Sequence, residues 1–170
     1  MIFDYKLTYL NKIIPFRKMK KYSFLVLIIT LAFFTACGSI KSTIQNIDNT
    51  AIKPTVKNDL FVLTEYATDS RYGYDKDYPI NLGFESEKYS PKNIALFFNA
   101  LTGPKGEKIS YDKVDTCCPF PTKKSVMGAG TIDIYNVMLE GSDKRIVLYI
   151  NIYERSKVVC PKGFSIKKSE

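Results

Sequence analysis

The sequence lacks histidine and tryptophan altogether. Without histidine, the chain cannot build the Ser-His-Asp or Cys-His pairs that activate a nucleophile, and it cannot bind a metal through imidazole. Tyrosine and phenylalanine, with 12 and 11 residues, supply the aromatic surface instead. The composition therefore argues against the commonest catalytic chemistries and leaves carboxylate, tyrosine, lysine and thiol groups as the available ones.

A concentrated basic surface is also lacking, although the formal net charge is +8. Residues 1–37 contain six Lys/Arg and one acidic residue, whereas residues 38–170 contain 19 Lys/Arg and 16 acidic residues. Most of the excess positive charge thus belongs to the N-terminal segment, and the later basic residues are scattered among acids. Because binding to a phosphate backbone needs a basic stripe, we expect no nucleic-acid partner.

Residues 19–36 have the pattern of an export signal. Met19-Lys20-Lys21 forms a basic start, and residues 22–36 are uncharged and mostly apolar. As a helix, this run would span about 22 Å, which is too short for a hydrocarbon core of roughly 30 Å. The pattern predicts a signal peptide. Residues 1–18 fit poorly in front of it, and we expect them to be a mis-assigned start.

The string Phe34-Thr35-Ala36-Cys37 follows the apolar run and resembles the lipobox of bacterial lipoproteins. This resemblance implies that the Cys37 thiol receives a lipid, that the bond before it is cut, and that Cys37 becomes the N-terminus. The expected location is the cell envelope, with the membrane bound through the lipid anchor. Gly38 favours the outer membrane. Ordinary signal cleavage and an uncleaved anchor are the alternatives.

The remaining sequence predicts a tether and a single domain. Residues 37–59 comprise the lipidated cysteine and a polar stretch without sustained periodicity. A flexible chain of this length has a root-mean-square span of roughly 26 Å, so the domain would float near the membrane. Residues 60–170 form the predicted globular domain.

A helix is predicted from Ser90, a suitable N-cap followed by a proline, to the Gly103-Pro104 stop. Its apolar residues recur at helical spacing and form one stripe. They are Ile94, Phe97, Phe98 and Leu101. The stripe is expected to pack on a sheet, and the alternative is a groove for a partner.

Strands are predicted on both sides of this helix, and Glu140–Lys144 should form a hairpin turn between the last two. The predicted strands are Leu60–Tyr66, Tyr78–Leu82, Lys108–Val114, Thr131–Leu139 and Arg145–Tyr153. The prolines of residues 117–121 (CCPFP) are expected to break regular structure. The predicted fold is α+β, with a small antiparallel sheet and one packed helix.

Three cysteines other than Cys37 lie in the predicted domain, namely Cys117, Cys118 and Cys160. An oxidising envelope favours a disulfide. A bridge from Cys117 or Cys118 to Cys160 is the preferred arrangement. A vicinal pair, reduced thiols, and a metal or redox role are the alternatives.

The loop Asp69–Asp77 and its neighbour Tyr78 bring aromatic and acidic side chains close together in the sequence. The candidate ligand-binding residues are Tyr72, Tyr74, Asp75, Asp77 and Tyr78. Such a group could stack on a sugar or hold a cation, and the alternative is that these residues serve packing and turns. No cofactor or metal site is predicted.

Three strings, YGYDKDYPIN (72–81), FNALTGPKGEKI (98–109) and CCPFPTKKSVMGAG (117–130), resemble a family of small lipoproteins from Bacteroidetes-type bacteria. The resemblance spans residues 60–165 and implies no established activity. Some similar proteins bear the name 2-dehydro-3-deoxyphosphooctonate aldolase. That enzyme is a (β/α)₈ barrel of at least about 200 residues, a size and element order that this chain does not have.

These observations favour an envelope lipoprotein with a non-enzymatic binding or scaffolding role, in contact with an envelope protein or a glycan. The alternative is an envelope enzyme that uses carboxylate, tyrosine or thiol chemistry. The two differ in whether the loop at Tyr72–Asp77 and the Cys117-Cys118 turn share one cleft with paired carboxylates.

Overall fold

The structure is a computed structural model, and it describes residues 42–85 and 90–168. The predicted start segment, the signal peptide, Cys37 and the first residues of the predicted tether lie outside the described residues. Within the described ranges, no helix combines the length and the apolar character needed to cross a membrane.

One helix and eight strands make up the described fold, which confirms the predicted α+β class. The elements are β1 (Val56–Lys57), β2 (Leu60–Phe61), β3 (Ile80–Asn81), α1 (Ser90–Asn99), β4 (Leu101–Thr102), β5 (Ile109–Pro121), β6 (Ala129–Leu139), β7 (Arg145–Asn151) and β8 (Ser165–Ile166). The main sheet has the order β3-β7-β6-β5, and the pairs β1-β2 and β4-β8 form two small sheets.

Strands β5, β6 and β7 form an antiparallel meander, and Glu140–Lys144 connects β6 to β7 as predicted. The edge strand β3 instead pairs parallel with β7, with Ile80 opposite Ile150 and Asn81 opposite Asn151. The predicted all-antiparallel sheet is therefore corrected at one edge. A parallel neighbour needs a long crossover, and the chain from β3 to β7 provides it because it includes α1, β5 and β6.

Helix α1 packs its apolar stripe against the main sheet. Ile94, Phe97 and Phe98 are buried, and the Phe98 ring stacks on Tyr111 of β5 with 3.9 Å between ring centroids. Tyr135 of β6 lies 5.4 Å from the same ring. The stripe therefore belongs to the core, as expected, and the alternative of a partner groove is wrong.

The N-terminal segment, which we define as residues 42–50, is packed on the domain. Ile44 is only 6% exposed and forms the N-terminal cluster with Phe120 and Ile132. The backbone N–H of Gln45 donates to the Asp77 carbonyl at 2.8 Å. Residues 56–57 form β1. These contacts correct the predicted tether from residue 42 on.

The string CCPFP was expected to break regular structure, but β5 continues through it to Pro121. The register with β6 shifts between Cys117 and Phe120, so a bulge removes two residues from the ladder. Because β5 is an edge strand, one of its sides has no strand partner, and prolines are tolerated there. The position of these prolines on an edge strand therefore outweighed their local tendency to break a strand.

Two predicted strands are shorter than expected. The range Leu60–Tyr66 contains only β2 and a single bridge between Tyr66 and Cys160, and Tyr78–Leu82 contains only β3 and a bridge between Leu82 and Arg155. The apolar residues Leu60, Phe61, Ile80 and Leu82 of these ranges are buried in the core, and the ranges pair only where a neighbouring backbone lies alongside.

Candidate ligand-binding cleft

A buried polar cluster closes the sheet at the carboxyl ends of β3 and β7. The Asn151 side chain donates to the Asn81 oxygen at 2.9 Å. The Asn81 amide in turn donates to the Asn46 side chain at 3.0 Å and to the Ser156 hydroxyl at 3.2 Å. Buried amides need such partners, so this cluster fixes the N-terminal segment and residues 151–156 beside the strand ends.

An open cleft of about 390 Å³ lies next to this cluster, and we call it the tyrosine cleft. It is lined by Asn46, Ile47, Asp48, Glu65, Tyr66, Ala67, Thr68, Asp69, Tyr72, Tyr78, Ser156, Lys157 and Val159. The cleft combines three chain segments that are far apart in sequence.

Tyr72 and Tyr78 form one wall of the cleft, with an edge-to-face contact at 6.5 Å between centroids. The Tyr72 hydroxyl accepts a hydrogen bond from the Val159 N–H at 3.3 Å, and burial raises the pKa of this phenol. Tyr72 is therefore a neutral structural wall. The Arg71 guanidinium covers Tyr78 at 4.8 Å from its centroid, which leaves one of its faces occupied.

Tyr66 is the open aromatic surface of the cleft, with 55% of the residue exposed. Its hydroxyl accepts a hydrogen bond from the Ile166 N–H at 3.4 Å, and its backbone pairs with Cys160. The residue is thus held by its hydroxyl and its backbone while more than half of its surface stays exposed. Sequence reasoning missed this residue because it was assigned to a strand, although a tyrosine next to Glu65 at a strand end was a weak signal.

The rim of the cleft is acidic. A hydrogen bond from the Thr50 side chain is the main cause of the lowered pKa of Asp48, and a hydrogen bond from the Arg71 side chain is the main cause of the lowered pKa of Asp69. Both carboxylates are therefore ionised at neutral pH and act only as acceptors. Glu65 forms an ion pair with Lys157 on the same rim.

The predicted aromatic–acidic group is divided by the structure. Tyr72 and Tyr78 line the cleft, whereas the Tyr74 hydroxyl donates to the Lys162 carbonyl. Asp75 accepts the Asp77 N–H at 2.9 Å, and Asp77 forms an ion pair with Lys76 at 2.9 Å. The two aspartates thus close and neutralise the turn, and they do not face the cleft.

The preferred cysteine pairing is wrong in the structure. Cys117 and Cys118 are bonded to each other, with 3.7 Å between their Cα atoms, and Cys160 is free and buried. The pair lies in the N-terminal cluster, whereas Cys160 lies in the main core among residues packed on α1 and the sheet. The bridge to Cys160 fails because these are separate clusters. The cysteine pair and the tyrosine cleft also do not share a lining.

The Cys160 thiol is not suited to nucleophilic work. The residue is fully buried, and desolvation raises its pKa to about 12, so the thiol stays protonated at neutral pH. Among residues 42–85 and 90–168, no cluster of three or more Cys, Asp or Glu side chains is placed to hold a metal ion.

Comparison of the chain with protein-family models, with curated proteins and with solved structures finds no match. The function therefore has to be argued from the chain's own residues.

Proposed function

We propose that the protein is a lipid-anchored lipoprotein of the bacterial cell envelope that binds a glycan, without catalysis, in the tyrosine cleft. The single observation that carries the binding role is the exposed Tyr66 ring beside ionised carboxylates in one open cleft. The envelope location rests on the signal-like residues 19–36 and on the lipobox-like string that ends at Cys37.

The chemistry of the cleft suits a sugar. An aromatic ring offers an apolar face for the C–H groups of a pyranose. The ionised Asp48 carboxylate can accept hydrogen bonds from hydroxyl groups, and such charge-assisted bonds are stronger than neutral ones, whereas Asp69 is already ion-paired with Arg71 at 2.8 Å. The Asn46 side chain on the same lining adds an amide that both donates and accepts.

The enzymatic alternative has less support. A general acid at neutral pH needs a raised carboxyl pKa, yet the pKa values of Asp48 and Asp69 are lowered by their hydrogen bonds. The thiol of Cys160 is buried and protonated. The other two cysteines of the domain, Cys117 and Cys118, lie in another cluster. Binding therefore explains the described groups better than acid–base or thiol catalysis does.

Binding is tested by titrating the protein with soluble peptidoglycan fragments in a calorimeter. Wild-type protein should bind, and Tyr66→Ala and Asp48→Asn should each weaken binding by about tenfold, because the first removes the aromatic surface for the sugar and the second removes the charge that strengthens its hydrogen bonds. Asp112→Asn is the matched control because this aspartate is exposed on β5, away from the cleft lining. Equal affinity for all four proteins would contradict the assignment of the cleft.

The anchor is tested separately with labelled fatty acid. The wild-type chain should incorporate the label, and Cys37→Ala should not, because the lipid is expected on that thiol. Equal labelling of both chains would refute the anchor without touching the cleft.

A further inference from the structure

The loop that joins β5 to β6 exposes two large apolar side chains at its end. We call residues 122–128 the tip loop. Val126 is fully exposed and Met127 is 90% exposed. The loop is nevertheless ordered, because the Thr122 N–H donates to the Gly128 carbonyl at 3.1 Å and the Gly128 N–H donates to the Ser125 carbonyl at 3.1 Å. The apolar pair is thus presented on a hydrogen-bonded turn.

Two lysines flank this apolar pair on the same loop. Lys123 and Lys124 are both exposed, and the tip loop contains no acidic residue. Apolar side chains beside lysines match the boundary of an anionic bilayer, where the former are buried among the acyl chains and the latter contact the headgroups. A protein groove for Val126 and Met127 would not by itself explain the paired positive charge.

The tip loop extends past the rest of the sheet. Strand β7 ends at Asn151, opposite Ile132, whereas the β5–β6 ladder continues to the pair Pro121–Ala129 before the loop begins. The base of the loop is fixed, since the Thr122 hydroxyl donates to the buried Glu154 carboxylate. The base of the projecting end is therefore attached to the domain.

The N-terminal segment joins the domain at this same end of the sheet. Ile44 packs on Phe120, which directly precedes Pro121 at the end of β5. Only five residue steps separate Cys37 from Ser42, and such a chain spans at most about 18 Å whatever its path. A lipid on Cys37 would therefore hold this end of the domain, and not the opposite Glu140–Lys144 turn, next to the bilayer.

We infer that the tip loop is a second membrane contact, in which Val126 and Met127 enter the lipid interface and Lys123 and Lys124 bind anionic headgroups. This inference rests on the proposed lipid anchor at Cys37. The anchor supplies most of the affinity, because acyl chains bury far more apolar surface than two side chains do, and the tip loop adds a second, weaker contact. The two contacts together fix which face of the domain is turned away from the membrane.

The experiment uses acylated full-length protein reconstituted in vesicles of phosphatidylethanolamine and phosphatidylglycerol. An environment-sensitive fluorophore is attached at Met127→Cys, and at Ser142→Cys in the opposite turn as the matched control. The native cysteines do not interfere, since Cys117 and Cys118 are bonded and Cys160 is buried. Nitroxide-bearing lipids then report whether each fluorophore reaches the interface, and flotation with the vesicles reports the anchor.

The fluorophore at position 127 should shift to the blue on reconstitution and be quenched at least about twofold, whereas the one at position 142 should not change. In unacylated protein, Lys123→Gln and Lys124→Gln should each weaken vesicle binding by about fivefold. Protein that is acylated and floats but shows no quenching at position 127 would overturn the inference and leave the anchor intact. A blue shift without vesicles would show a protein partner or a second copy at the tip loop and would also overturn it. Absence of acylation would refute the anchor and the inference together.

Discussion

Replacing Ile44 by alanine tests whether the N-terminal segment belongs to the domain. Burying a whole isoleucine side chain stabilises a fold by about 1.5–3 kcal/mol, and Ile→Ala in a core costs roughly 2–5 kcal/mol. Ile44 is 6% exposed, but its cluster with Phe120 and Ile132 is small and lies at the edge of the domain, where neighbours can relax. We therefore expect a loss near the lower end, about 2 kcal/mol.

The measurement is urea unfolding followed by circular dichroism, with thermal unfolding as a second assay. A loss of about 2 kcal/mol should lower the melting temperature by roughly 6–10 °C for a domain of this size. Ile52→Ala is a matched control just after this segment, since Ile52 is 88% exposed and its replacement should change stability by less than about 0.5 kcal/mol. If the two variants are equally stable, residues 42–50 are a tether after all and the docking argument is refuted.

Three further outcomes follow from the burial of particular groups. Cys160 should not react with a thiol reagent in native protein and should react once per chain after unfolding without reductant, because it is buried while Cys117 and Cys118 are bonded to each other. A peptide map that links Cys160 to either of these cysteines would contradict this pairing. The contribution of Cys160 and Tyr135 to stability should be complete below about pH 9 and fall as the pH rises toward 12. Burial raises the pKa of Cys160 from 9.0 to about 12 and that of Tyr135 from 10.0 to about 12, so the unfolded chain loses these protons first. Cys160→Ala should make the alkaline decline shallower, and an unchanged decline would contradict the role of Cys160. Asn81→Ala should cost about 3 kcal/mol in urea unfolding because it leaves buried partners on Asn151 and Ser156 unpaired, whereas a loss below about 1 kcal/mol would show that water replaces the amide.

Local periodicity explains which elements could be predicted. The stripe of α1 and the alternation in β6 and β7 are visible in sequence because each repeats over several residues on one face. The turn at Glu140–Lys144 follows from its polar residues and glycine. The helix, the two long strands and the fold class therefore needed only near-neighbour information.

The N-terminal segment could not be predicted because much of its attachment uses backbone atoms. Ile44 and Ile47 are isolated among polar residues, and the bonds from Gln45 to Asp77 and from Asp48 to Arg155 join backbone atoms, which leave no mark on residue type. A polar stretch can therefore be ordered when the domain supplies donors and acceptors for its backbone.

The cleft was found only in part for a related reason. Tyr72 and Tyr78 stood out as aromatic residues in a short loop, but Tyr66 was assigned to a strand, and Asn46 and Lys157 come from distant segments that fold beside the loop. The cysteine pairing failed in the same way, because proximity of Cys118 and Cys160 would depend on tertiary packing. Sequence spacing carries no information on either arrangement.

Docking of residues 42–50 also determines the order in which the chain can complete its fold. Asn49 accepts a hydrogen bond from the Arg155 side chain, 106 residues further along, and Asn46 bonds to Asn81, 35 residues away. The first part of the domain to be synthesised can therefore meet Asn81 early but must wait for Arg155 near the end of the domain. Such long-range closure slows folding, because the entropy of the intervening loop is lost before the contacts form. A nascent chain that has not yet reached Arg155 lacks the hydrogen bonds that hold Asp48 and Asn49, so the attachment of this segment is incomplete until that residue is made.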